Sequence, residues 1–231
     1  MSDVKLIVVG SDKGGVGKTT VTRVLCEYFD FCDVSFLVFD TEAPKGHLVR
    51  YVRGAEVVDL ENVRDQIKII DSLGSQSKII IVDVRAGHLT RTLELFSQIG
   101  LLDVVKRKEA DLVLFHVIGP NRNSIEEIVD VQKYLPDVNY FLVKNFINDS
   151  SYFSWDSEGS LGSFSKNYQT IEVPKLNELA CEKVDQLSIS FSDFAENRSD
   201  SKESFSFVLR GYVRSWLTQV WYELERCNIL K

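Results

Sequence analysis

The chain has 231 residues, 44 % of them hydrophobic, with a formal charge of −7 and a pI near 5.1. That length and apolar content suffice for a substantial core in one domain spanning 1–231, while the acidic balance argues against a surface that is basic overall and so against nonspecific DNA binding. The sequence holds no run of about 18 apolar residues to span a membrane, and Cys26, Cys32, Cys181 and Cys227 form neither a CxxC pair nor a spaced metal set; with no secretory leader before the first strand, reduced thiols in a cytoplasm are expected.

The apolar run Val4 to Val9 predicts a first strand at Leu6–Val9, and Asp12-Lys13-Gly14-Gly15-Val16-Gly17-Lys18-Thr19-Thr20 follows it directly. Small residues let backbone N–H groups converge on phosphate oxygens, a Lys reaches the β- and γ-phosphates, and a Ser/Thr hydroxyl meets Mg²⁺. Gly14, Gly15, Gly17, Lys18 and Thr19 supply all of these. Val21, Val24, Leu25 and Phe29 have helical spacing, so a helix is predicted from Thr19 to Phe29, its N-terminal amides and dipole adding to anion binding. Strand, loop and helix stand in the order that a nucleotide triphosphate cradle requires.

Further strands are predicted at Phe36–Phe39, Ile79–Val82, Leu112–Val117, Tyr140–Val143 and Ile171–Val173, with helices at Leu60–Ser72, Thr90–Ile99, Ser124–Tyr134 and Asn177–Leu187. Ser124 followed by Glu127 reads as a capping box. Alternating β and α units with near-continuous apolar strands imply a doubly wound α/β fold, a mostly parallel sheet with helices on both faces and ligand at the strands' carboxyl ends. Asp40 and Glu42 close the second strand, and Asp83 closes Ile79-Ile80-Ile81-Val82, the form of a Walker B element. Asn148–Asn167, rich in Ser, Gly, Asp and aromatics, reads as a long loop near the nucleotide, and Ser192–Glu203 as a connector. The last helix, about Lys202–Arg226, is amphipathic with a wide apolar face that suits core packing against the sheet or, as the alternative, a surface for a partner protein. Lys106-Arg107-Lys108, Arg210 and Arg214 are the local basic clusters; His47, His88 and His116 are scattered without metal-ligand spacing.

The loop is a deviant phosphate-binding motif: Asp12 stands where the common pattern has Gly, and Lys13-Gly14-Gly15 follows. In this it resembles the ParA/MinD family of P-loop ATPases. The resemblance implies that Lys13 is a signature lysine reaching across a dimer interface to the partner's nucleotide, and that Lys13 to Thr20 (Val16 and Thr20 included) bind ATP or ADP. It further implies that Thr19 and Asp83 fix Mg²⁺, and that Val84-Arg85-Ala86-Gly87 completes a second switch, with Arg85 where the family commonly has Pro. At the first switch the family's Asp-x-Asp-Pro has its second Asp orienting the attacking water; here Glu42 takes that place beside Asp40. A side chain one methylene longer bears on hydrolysis more than on nucleotide binding. Asn145 would meet the base edge, with Pro174 and Lys175 lining the base.

Within the family, Phe39 to Leu48 and Val143-Lys144-Asn145 look most like plasmid-encoded StbB-type or conjugation-associated members. That likeness implies a cytoplasmic Mg²⁺-dependent ATPase that forms a homodimer with ATP, engages a plasmid-encoded DNA-binding adaptor protein and positions plasmid DNA. The last helix ends Glu223-Leu224-Glu225-Arg226 without the Lys-rich face of a membrane anchor. Two alternatives stand beside this reading: an ATP-dependent metabolic ligase of dethiobiotin-synthetase type on the same fold, and a nucleotide-binding scaffold with negligible hydrolysis, motivated by Glu42.

Overall fold

The computed structural model describes residues 4–75, 77–119, 122–134, 138–147, 153, 168–198 and 204–230. Seven strands, β1 (Lys5–Gly10), β2 (Phe36–Asp40), β3 (Glu56–Val57), β4 (Ile79–Asp83), β5 (Asp111–Ile118), β6 (Asn139–Asn145) and β7 (Gln169–Val173), form one sheet in the order β3-β2-β4-β1-β5-β6-β7. Every pairing is parallel. The predicted α/β class is therefore correct. β1 is central, and its register sets Val9 opposite both Asp83 and Phe115, so the loop after β1 opens beside the carboxylate that ends β4.

Covered strands need helices on both faces. On one face lie α1 (Lys18–Phe31), α6 (Glu178–Leu187), α7 (Phe191–Glu196) and α8 (Phe207–Arg226); α1 buries Val21, Val24, Leu25 and Phe29 there, and α8 buries Val213, Trp216, Leu217, Val220 and Leu224. On the other, α3 (Leu89–Gln98), α4 (Leu101–Lys106) and α5 (Arg122–Gln132) bury Leu89, Leu93, Phe96, Leu101, Ile128 and Val131, joined by Ile69 of α2 (Val63–Asp71). Each such side chain contributes ~1.5–3 kcal/mol relative to exposure. The last helix thus packs its apolar face into the core, and no helix among the described residues is long and apolar enough to cross a membrane.

Four local expectations are corrected. β3 has two residues, too few to carry a periodic signal. The predicted connector at Ser192–Glu203 contains most of α7, a six-residue helix started by Ser190, whose hydroxyl accepts from the Asp193 amide. The last helix begins at Phe207, capped by Ser206, not at Lys202. α5 begins at Arg122, which places Ser124 inside the first turn, and Glu127 sends its carboxylate to the phosphate loop instead of closing a capping box. The predicted 148–167 loop lies outside the described residues, Phe153 excepted.

Candidate functional site

β1 ends at Gly10 and α1 begins at Lys18, so residues 11–17 cross the carboxyl edge of the sheet and aim α1's first amides at the site. Gly17, at φ 86°, takes a left-handed turn, and a Cβ there would overlap the Asn145 amide nitrogen; only glycine fits. The Asn145 nitrogen also donates to the Val16 carbonyl at 2.8 Å, fastening β6 to the loop. Lys18 is buried and its Nζ donates to the Lys13 carbonyl at 3.1 Å. Burial draws its pKa down while Asp83, Glu127, Glu42 and Asp12 pull the other way, so the ammonium sits among carboxylates without a direct ion pair among the described residues, ready for an anion.

Asp83 accepts from the Thr19 hydroxyl at 3.0 Å and the Thr22 hydroxyl at 3.0 Å. Burial pushes its pKa up to about 7, with Asp40 adding to the rise and Thr19, Thr22 and Lys18 opposing it. A buried carboxylate beside a hydroxyl, both hard oxygen donors, is a set that fits a divalent cation, whose charge would offset the burial. Sequence reasoning missed Thr22; its spacing of three from Thr19 on one helix face was the available signal.

Beneath the loop lies a second buried carboxylate. Glu127 accepts from the Ser11 hydroxyl at 3.2 Å and from the Asp12 amide, and His116 Nε2 faces its Oε1 at 3.0 Å. His116 Nδ1 lies 2.9 Å from the Tyr140 hydroxyl. Burial raises the Glu127 pKa, but the His116, Asp12 and Ser11 contacts outweigh it and hold the carboxyl below its ordinary value. The Asp12 side chain reaches the other way: it accepts from the Leu89 amide at 2.6 Å and the Thr90 hydroxyl at 2.5 Å. It thereby caps α3, whose own N-cap residue His88 makes no side-chain cap. The residue that departs from the common motif therefore clamps the loop to the helix after the second switch.

The turn after β2 is built differently. Asp40 accepts from the amides of Glu42 at 2.9 Å and of His47 and Leu48 at 2.7 Å each, so its carboxylate frames the turn that carries Glu42. Glu42 itself pairs with His47 Nδ1 at 3.0 Å, the two side chains 41 % and 61 % exposed. Thr41 ties the switches together, donating its amide to the Asp83 carbonyl at 3.0 Å and accepting from the Arg85 amide at 2.8 Å. The Arg85 side chain makes no ion pair among the described residues, and Lys13 is exposed with its amide on the Ser11 hydroxyl at 3.1 Å.

A cavity of about 490 Å³ opens from Gly15, Gly17 and Thr20 toward Asn145, Pro174 and Trp216. Lys175 at its rim pairs with Glu178 at 2.9 Å. The predicted site residues thus converge at one end of the sheet, with the base-side pair Asn145 and Pro174 on one side of the loop and Asp40, Glu42 and Asp83 on the other. The basic clusters lie elsewhere: Lys106 pairs with Asp103 at 3.5 Å and Arg107 with Glu109 at 2.6 Å, all four side chains more than half exposed, and Arg214 donates to the Ala195 carbonyl at 2.9 Å.

The fold and loop together define a ParA/MinD-like P-loop NTPase architecture. A ParA family ATPase from Chlorobium tepidum TLS superposes with a TM-score of 0.59 at 14 % identity, over 94 % of this chain and 99 % of that one. The MinD cell division protein of Aquifex aeolicus does so with a TM-score of 0.55 at 16 % identity, over 93 % and 97 %. Among curated proteins, Protein MobD of Acidithiobacillus ferrooxidans is 22 % identical over 200 residues, 84 % of this chain and 80 % of its own length. No protein-family model matches the chain.

Proposed function

We propose that the protein is a Mg²⁺-dependent ATPase acting as an ATP-driven dimerisation switch. The carrying observation is the convergence of Lys18, Thr19 and Asp83 on a glycine loop at the carboxyl ends of β1 and β4. Lys18 and the loop amides neutralise the triphosphate, while Thr19 and Asp83 would hold Mg²⁺. Bound there, the cation would supply charge compensation at the β- and γ-oxygens. Glu42 orients a water for in-line attack on the γ-phosphorus, and Asp40 holds the turn that presents it. The new P–O bond forms as the bond to the β-bridging oxygen breaks, leaving ADP, phosphate and a proton released to solvent. Asn145, its nitrogen engaged by Val16, offers the base its carbonyl oxygen, an acceptor that suits the amino group of adenine and not the O6 of guanine.

Lys13, exposed on the loop, is the lysine that would cross to a second copy's phosphates, making a homodimer with ATP between subunits. The ParA and MinD likenesses support the fold on which such a switch is built, and the reading takes it as a single domain working in the cytoplasm. With a formal net charge of −7, a DNA-binding adaptor protein, plasmid-encoded in a StbB-type role of plasmid positioning or conjugation-linked stability, fits better than direct DNA contact; a membrane role has no support. A ligase would need room for a second substrate beside the γ-phosphate. The cavity at Thr41, Ala43 and Arg85 is about 120 Å³ and shares Leu60, Glu61 and His88 with a second cavity of about 380 Å³, so a ligase reading is tested by second-substrate binding and not excluded by volume. A scaffold that binds ATP with negligible hydrolysis is kept as a second reading because Glu42 is paired with His47.

Size-exclusion chromatography with light scattering tests the switch, on wild type and Lys13→Ala with Mg²⁺ and either ADP or a non-hydrolysable ATP analogue. Mass is expected to double only for wild type with the analogue; wild type staying monomeric there overturns the dimer. Phosphate release separates ATPase from scaffold: equal, near-zero rates in wild type and Glu42→Ala favour the scaffold.

A further inference from the structure

The C-terminal helix reads from sequence as core packing, yet one of its residues reaches the nucleotide end of the sheet. Trp216 is 4 % exposed, packs its ring 4.9 Å from that of Phe191, and donates its indole N–H to the Pro174 carbonyl at 2.6 Å. Its ring also forms part of the wall of the 490 Å³ cavity that opens from Gly17, Thr20 and Asn145. A buried indole seeks one acceptor for its single donor, and here that acceptor belongs to the segment between β7 and α6. Residues 174–176 have no regular secondary structure, so a side-chain clamp sets where that cavity wall stands.

We propose that Trp216 is a positioning residue for the nucleobase, holding the Pro174 carbonyl and closing the floor of the base cavity, so that α8 is part of the nucleotide site. This rests on the ATP-binding reading above and deepens it. A ligand that uses both loop and cavity then depends on Trp216, whereas one that uses the loop alone does not. Trp216→Phe keeps the ring's packing and removes the donor. Losing one buried hydrogen bond and the order it imposes is worth about tenfold in affinity.

The experiment is calorimetric titration of wild type and Trp216→Phe with Mg²⁺-ATP and with Mg²⁺-tripolyphosphate, which carries the phosphates without a base. ATP is expected to bind about tenfold more weakly to the variant, with the tripolyphosphate constant unchanged within twofold. Equal weakening of both ligands marks a general structural role and overturns the inference, as does an ATP constant that does not move. Should wild type bind neither ligand, the ATP-binding reading itself falls and takes this inference with it. Where Trp216→Phe does not fold, or tripolyphosphate alone does not bind, the Trp216 indole N–H resonance of wild type gives the answer, assigned with Trp155→Phe and Trp221→Phe. A shift on adding ATP supports the inference, and a resonance that ATP leaves in place overturns it.

Discussion

The phosphate loop and the turn after β2 flank β4 at the carboxyl ends of β1 and β2, and the structure holds one tightly and the other loosely. Around the loop, three carboxylates with buried partners fix geometry: Asp83 on Thr19 and Thr22, Glu127 on Ser11, Asp12 and His116, and Asp12 on the start of α3. In the turn, Asp40 fixes the backbone, but among the described residues the Glu42 side chain is held by a solvent-exposed pair with His47 alone. Exposed ion pairs contribute about 0–1 kcal/mol, whereas a buried network that loses one partner loses several kcal/mol. The loop is preorganised, and the carboxylate proposed to orient water is held by an exposed pair alone among the described residues. That arrangement suits a switch whose chemistry waits on nucleotide, second subunit or partner protein.

The largest effect is expected beneath the loop. Glu127→Ala strands the Ser11 hydroxyl, the Asp12 amide and the His116 ring together, and is expected to cost about 3 kcal/mol of stability in urea unfolding. The contrast is lost if that variant is as stable as wild type. Because the folded carboxyl lies below its ordinary value of 4.5, its stabilising contribution is complete above that value and fades as pH falls through the lower folded one. The stability gap between wild type and Glu127→Gln should therefore narrow on going from pH 7 to about pH 4; a widening gap contradicts the assignment.

Next, Lys18→Ala removes the cation proposed to meet the phosphates, and ATP affinity is expected to fall about 100-fold by calorimetry with the melting temperature little changed. Glu42→Ala should show the opposite partition: phosphate release about tenfold slower with ATP affinity within twofold of wild type. Equal losses in binding and turnover there would erase the distinction between grip and turn. Asp12→Ala removes the cap of α3 and should cost about 1 kcal/mol, while Asp12→Asn, which keeps an acceptor oxygen, recovers most of it. The smallest effect belongs to His47→Ala, below about 0.5 kcal/mol in stability, a value that sharpens the claim that the turn is held through Asp40.

Local strings were legible in the sequence, and long-range joints were not. The run from Asp12 to Thr20, the apolar strand ending in Asp83 and the carboxylates after β2 each carry their meaning within a few residues, so the sheet, the loop and their order could be read directly. The clamp from Glu127 to Asp12 spans 115 positions and the one from Trp216 to Pro174 spans 42, distances over which no spacing rule operates. Glu127 was read through its neighbour Ser124 because a capping box is the local explanation for that pair. α7 was missed because six residues cannot establish a helical period; it is fixed by tertiary contacts, the Glu27 carboxylate taking the Phe191 amide at 2.8 Å and the Ser192 amide at 2.7 Å. His116 lies in a hydrogen-bonded core, its partners coming from α5 and β6.

The account depends on residues 12 to 20 gripping a magnesium-bound triphosphate, and calorimetric titration of Mg²⁺-ATP into the wild-type chain tests this most directly. Saturable binding of one ATP per chain with a dissociation constant at or below about 100 μM is the expected result. No heat of binding at millimolar ATP contradicts it.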